Sequence, residues 1–96
     1  MTGNYRLTSN AKSDLRRIYN QGLEKRGEAQ ADQYYNEFFD RFEQLAEKPY
    51  LYQAVDHIRE GYRRSVCGVD SIYYRVEGDT VEIMSILGRQ DAGEAL

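Results

Sequence analysis

Between Arg59 and Leu87 apolar and polar residues alternate in three short runs, separated by two turn signals. Tyr62, Arg64 and Val66 share one parity, and Arg63, Ser65 and Cys67 the other. Gly68-Val69-Asp70 turns the chain. Ile72, Tyr74 and Val76 then form a second apolar face, with Tyr73 and Arg75 opposite. Gly78-Asp79 turns it again, and Val81, Ile83 and Leu87 share a third face. Period-two patterning between Gly and Asp turns predicts a half-buried antiparallel meander. A meander cannot cover its own apolar face, so an element before Arg59 must pack on it.

The earlier chain supplies that cover. Asn4 to Thr8 alternates, with Tyr5 and Leu7 on one face, and predicts a short strand. Thr8, Ser9 and Asn10 offer helix caps, and Asp14 is read as a first-turn acid that favours the helix dipole. Ala11, Leu15, Ile18, Tyr19, Gly22 and Leu23 follow helical spacing until Gly27. A second helix runs from about Glu28 to Glu47 on a stripe of Ala31, Tyr35, Phe38, Phe42, Leu45 and Ala46, widened by Tyr34 and Phe39. Pro49 ends it, because the residue before proline is pushed out of the helical region. The short link at Arg26-Gly27 predicts an antiparallel hairpin. The first strand can join the meander's sheet. The expected class is α+β: a β-α-α-β-β-β chain, with the hairpin packed on a mainly antiparallel sheet. Pro49 to Ile58 has no periodicity and reads as an ordered loop, with Tyr50, Leu51, Tyr52 and Val55 tucked under it. Gly88 to Leu96 reads as a short tail.

At 96 residues the chain is one domain, 1–96. Apolar residues at 41% and charged residues at 30% fit a globular protein rather than a disordered one. No apolar run is long enough for a membrane span, and no basic-then-apolar leader opens the chain, so neither a membrane nor an export signal is expected. Cys67 has no internal partner and fits a reducing cytoplasm as a small strand residue. One Cys and one His make no zinc site, so no metal and no cofactor are expected. A net charge of −3 counts against a protein that grips a phosphate backbone, and no sequence-specific nucleic-acid binding is expected.

The charge is uneven. From Arg59 to Arg75, the four arginines Arg59, Arg63, Arg64 and Arg75 stand against Glu60 and Asp70, which suggests an acidic partner surface or a patch kept quiet by an acidic inhibitor. Arg63 and Arg64 must point to opposite faces, with Arg63 read as the outward one. Edge protection by charge and partner recognition stand side by side as readings of this cluster. No catalytic residue is assigned. His57 beside Asp56 reads as a loop residue, Asp32 and Asp40 as a solvated helix face, and no Ser-His-Asp set or phosphate loop is seen. Most of the nine tyrosines lie in apolar stripes, and Tyr62 and Tyr73 are read as exposed anchors for a partner.

Several stretches match a known family in order. Leu7 to Ile18 reads L-T-x-x-A-K-x-D-L-R-R-I, Arg26 to Tyr34 reads R-G-E-A-Q-A-D-Q-Y, and Leu45 to Pro49 reads L-A-E-K-P. I-R-E-G-Y-R-R starts at Ile58, followed by I-Y-Y-R-V-E-G-D-x-V-E-I and I-L-G-R-Q-D, ending at Asp91. The set resembles the ParE branch of the RelE/ParE toxin superfamily across nearly the whole chain. The resemblance implies a bacterial toxin of a type II toxin–antitoxin pair, with a helical hairpin on an antiparallel sheet. It implies growth inhibition by binding DNA gyrase, and neutralisation by a ParD-like antitoxin that is partly disordered when free. The RelE branch instead cleaves messenger RNA on the ribosome, and an inactive antitoxin-binding relative is a further alternative. Where ParE-like proteins commonly carry histidine, Gly88 follows Leu87, and Gly68-Val69-Asp70 replaces a more usual Gly-Ser-His. Both changes count against the nuclease. Candidate target-binding residues are Arg59, Arg63, Arg64, Arg75, Arg89 and Asp91. Candidate antitoxin-binding residues are Tyr19, Tyr35 and Phe39 on the hairpin edge, with Tyr62 and Tyr73 on the sheet.

Overall fold

The computed structural model describes residues 3–88, so Arg89 and Asp91 lie outside the described residues. The elements run β1 (Asn4–Leu7), α1 (Ser9–Arg26), α2 (Glu28–Glu47), β2 (Gln53–Ala54), β3 (Arg63–Cys67), β4 (Asp70–Glu77) and β5 (Thr80–Gly88). One five-stranded sheet has the order β1-β5-β4-β3-β2. The meander is antiparallel, as its turns require, and β1 joins β5 in parallel. That mixed sheet under a helical hairpin is the α+β architecture expected from the pattern. The two-residue β2, inside the aperiodic loop, carried no sequence signal.

Gly27 alone separates the helices, at φ 87, a left-handed value that glycine adopts without a Cβ clash. Ala11, Leu15 and Ile18 from α1 and Phe38, Phe42 and Leu45 from α2 meet Ile72, Tyr74, Val81, Ile83 and Ile86 of the sheet in one core. Aromatic rings continue through it, with Phe38 and Phe39 both against Phe42 and Tyr5 closing one end.

Thr8 caps α1, its hydroxyl accepting from the Ala11 N–H at 3.1 Å. Strand β1 reaches along β5 only to Ile83, and the backbone beyond needs other partners. The Thr8 N–H donates to the Ile83 carbonyl at 3.1 Å, and the Thr8 hydroxyl donates to the Ile83 or the Met84 carbonyl, each at 3.0 Å. Asp14 accepts from the Ile86 N–H at 2.9 Å, and Arg17 donates to the Ile86 carbonyl at 3.0 Å. Asp14 is therefore not a first-turn dipole acid, because α1 starts at Ser9 and the carboxylate completes the strand's hydrogen bonding. Arg41 does the same where β2 stops covering β3, donating to the Ser65 hydroxyl and the Val66 carbonyl at 2.7 Å.

Two face assignments change. Tyr73 pairs with Ser85 and Tyr74 with Ile83, so Met84 is an extra residue in β5. Parity reverses beyond it: Ile86 faces the helices, and Leu87 faces the other side rather than sharing a face with Val81 and Ile83. Arg63 pairs with Tyr74 and Ser65 with Ile72, both helix-side residues, so Arg63 lies on the helix side and Arg64 on the opposite one. The polar Ser65 misled the parity reading; it is buried and satisfied by Arg41.

The aperiodic loop does not simply tuck in. Val55 is buried and Tyr52 packs against the core, but Tyr50 and Leu51 are 67% and 69% exposed. Residues 55–62 fold back over the face away from the helices. The Val55 N–H reaches the Tyr62 carbonyl at 2.8 Å, and the Asp56 carboxylate accepts from the Gly61 N–H at 2.8 Å. Under this flap lies a second, small core of Val55, Tyr62 and Tyr73, flanked by Ile58, Met84 and Leu87.

Candidate functional site

The sheet separates two candidate surfaces. On the hairpin side, helical spacing places Tyr35 and Phe39 one turn apart on α2, opposite Tyr19 of α1. Tyr35 packs edge-on to Tyr19 at 5.5 Å between ring centroids and against Phe39 at 5.1 Å. These three predicted residues, with Leu7, Leu15, Lys12, Arg16 and Asp32, line an open groove of about 490 Å³. Its floor is apolar, and Lys12 and Arg16 put positive charge on the α1 wall. The Tyr19 hydroxyl donates to Asp32 at 2.6 Å, and that bond is the main reason the phenol is held above its ordinary range. Asp32 is exposed, as a solvated helix face requires, but it also orients a groove wall.

On the other face the arginines divide. Arg64 is half-buried, and its guanidinium makes no hydrogen bond or ion pair among the described residues. Arg75 lies two rows from Arg64's partner Tyr73 on the same face. The Arg59 guanidinium sits over the Tyr62 ring at 5.8 Å. Arg63 does not join them. It donates to the Tyr52 carbonyl at 2.7 Å and lies over the Tyr50 ring at 4.9 Å, which ties down the loop after α2. Burial also removes Tyr62 and Tyr73 as exposed anchors: they are 8% and 0% exposed, because the 55–62 flap covers them. The flap has no period, so nothing in the sequence signalled that cover.

Two residues absent from the sequence reading complete this face. Glu82 of β5 stands beside Arg6 of β1 and Arg75 of β4 in the strand register. Arg75 Nε donates to Glu82 Oε1 at 2.6 Å, and Arg6 Nε to Oε2 at 3.0 Å. The Arg75 bond, then that of Arg6, holds the Glu82 carboxyl below its usual range against the opposing effect of burial. The same contact raises Arg75. Only the parallel pairing of β1 with β5 brings Arg6 here, and no local motif encodes it.

Other titratable groups serve the fold. The Tyr34 hydroxyl donates to the Cys67 carbonyl or Asp70 carboxylate, at 2.8 and 2.9 Å, and accepts from the Val69 N–H at 3.2 Å. Burial, then Asp70, pushes its phenol far up. Burial raises Tyr74 to about 12, and its hydroxyl donates to the Pro49 carbonyl at 2.7 Å. Cys67 is buried and its thiol is raised by burial, which suits a packing residue rather than a nucleophile. His57 is exposed on the flap. Among the described residues no cluster of three His, Cys, Asp or Glu could hold a metal, and no helix is long and apolar enough to cross a membrane.

The family model described as the ParE toxin of the type II toxin–antitoxin system parDE matches residues 5–93. Toxin ParE1 of Caulobacter vibrioides is 39% identical over 83 residues, covering 86% of this chain and 85% of that protein. Toxin ParE1 of Mycobacterium tuberculosis is 32% identical over 88 residues, covering 91% and 90%. Among solved structures, a chain of the chromosomal ParDE system of P. aeruginosa superposes with a TM-score of 0.79 at 19% identity, over 91% of this chain and 96% of that one. A chain of the RelBE2 toxin–antitoxin complex of Mycobacterium tuberculosis gives 0.63 at 20% identity, over 93% and 100%. Those two likenesses speak for the fold, and the family match and the relatives for descent: this chain belongs to the ParE toxin family of type II toxin–antitoxin systems.

Proposed function

We propose that this chain arrests growth in the cytoplasm by docking its arginine-bearing sheet face on DNA gyrase, and that a ParD-like antitoxin neutralises it. The observation that carries the reading is the division of the molecule. An apolar groove with Tyr19, Tyr35 and Phe39 opens on the hairpin side, and Arg64 and Arg75 stand on the opposite face of the sheet. The groove suits an amphipathic antitoxin segment that is partly disordered until its apolar residues are buried there. Lys12 and Arg16 on its wall favour acidic residues in that segment. Tyr62 and Tyr73 are not part of this site, since the flap buries them.

Docking rather than cleavage is favoured by what surrounds the arginines. RNA cleavage needs a base and an acid positioned about the scissile phosphate. On the arginine face Glu82 is engaged by two guanidiniums, and His57 sits on an exposed flap. The test is brief induction of the chain alone, followed by primer extension on cellular messages and gel analysis of chromosomal DNA. Growth arrest with double-strand breaks and intact messages is the expected result. Discrete message cleavage would replace this reading with the ribosome-dependent nuclease, and unimpaired growth with an inactive antitoxin-binding relative.

A further inference from the structure

We infer that Glu82 is a positioning residue that holds Arg6 and Arg75 as a two-guanidinium fork, and that this fork takes carboxylates of an acidic protein segment. The inference rests on the reading of the arginine face as the target-binding surface, and adds to it two residues and the chemistry of the partner.

The geometry is built from three strands. Glu82 lies on β5 between β1 and β4, and its side chain is only 12% exposed. Arg6 and Arg75 are its register partners on either side. Each guanidinium takes a different carboxylate oxygen: Arg75 binds Oε1, and Arg6 binds Oε2 through Nε and, at 2.9 Å, through Nη2. The side chains remain 59% and 44% exposed at their outer ends. Two cations on one anion leave a positive charge uncompensated within the triad. The terminal nitrogens of Arg75 have no protein partner among the described residues. Long arginine side chains normally lose rotamer entropy when they bind a ligand, and a partly buried carboxylate has fixed both in advance. The planar fork matches a carboxylate in two-point geometry.

The occupant is a protein carboxylate rather than a nucleic-acid phosphate chain. The triad of two guanidiniums and one carboxylate carries one net positive charge, which a single side-chain carboxylate neutralises. Glu82 also halves the local positive charge, which penalises a densely charged phosphate backbone more than a single side-chain carboxylate.

The test uses the purified full chain and fluorescence anisotropy with a labelled oligo-glutamate peptide at low salt, with mixed-sequence single-stranded DNA as the competing probe. Glu82→Gln is the decisive variant, because charge alone and positioning predict opposite signs. Removing a negative charge strengthens peptide binding if only charge matters. The fork predicts weaker binding, by roughly tenfold if one charge-assisted contact is lost. Arg75→Lys, which keeps the charge and loses the planar geometry, is expected to weaken binding similarly. Circular dichroism melts confirm that the variants are folded. Unchanged or tighter peptide binding by folded Glu82→Gln overturns the fork, as does tighter binding of DNA than of peptide by the native chain. Growth on induction is scored separately. A native chain that binds the peptide through Glu82 but leaves growth unimpaired keeps the fork and removes the toxin reading beneath it.

Discussion

On its helix-covered side the sheet buries Ile72, Tyr74, Val81, Ile83 and Ile86 against Phe38, Phe42 and Leu45. On its other side the apolar cluster among the described residues is the smaller one of Val55, Tyr62 and Tyr73, beneath a flap. The polar groups differ in the same sense. Under the helices the Ser65 hydroxyl meets Arg41 and the Tyr74 hydroxyl meets the Pro49 carbonyl. Across the sheet the buried Ser71 and Tyr73 hydroxyls have no hydrogen-bond partner among the described residues. The teaching is that one sheet separates two tasks. The covered face supplies stability, and the thinly covered face presents guanidinium groups at some cost in unsatisfied polar atoms.

Substitutions that break this contrast rank by size. Phe42→Ala leaves a cavity where Phe38, Phe39 and Tyr5 converge, and should lower unfolding stability by about 3–5 kcal/mol in a urea titration. Gly68→Ala comes next. Gly68 holds φ 62 in the β3–β4 turn, and an added Cβ would lie 2.5 Å from the Tyr34 ring, so that the turn or the ring must move. A loss of about 2 kcal/mol is expected, in the range set by strain and overpacking. A pair of hydroxyl deletions then sharpens the comparison. Tyr34→Phe removes the pin between α2 and the turn, and should cost about 1 kcal/mol. Tyr73→Phe removes a buried orphan, and should be neutral or stabilising by up to about 1 kcal/mol. Equal losses from the two would contradict the contrast.

The smallest effect is a pH dependence. Glu82 is held below its ordinary range in the folded state, so its contribution is present above the unfolded carboxylate range and fades as pH falls through the folded value. Stability of the native chain relative to Glu82→Gln should therefore decline on acidification, and only slightly, because both guanidiniums are largely solvent-screened at 59% and 44% exposed. A difference that does not change with pH would show that the triad does not hold the carboxyl below its unfolded range.

The hairpin, the meander and the groove residues Tyr19, Tyr35 and Phe39 were legible because helical and strand periods are local. Face assignments failed where a tertiary feature overrode the period. The bulge at Met84 reversed Leu87, and Arg41 reaching across from α2 made a buried site for Ser65, which had looked solvent-facing. Arg6 and Glu82 were missed because they meet through a parallel pairing of chain ends, which no spacing rule encodes. The burial of Tyr62 with Tyr73 is not legible in the sequence, because the flap that packs Val55 and Ile58 against them has no pattern of its own.

The proposed role of the guanidiniums on the thinly covered face is to carry the toxic action. It is tested most directly by growth after induction of the native chain and of an Arg64→Ala, Arg75→Ala variant at matched expression. Arrest by the native chain and normal growth with the variant, which should remain folded, are the expected results. Equal arrest by both would contradict it.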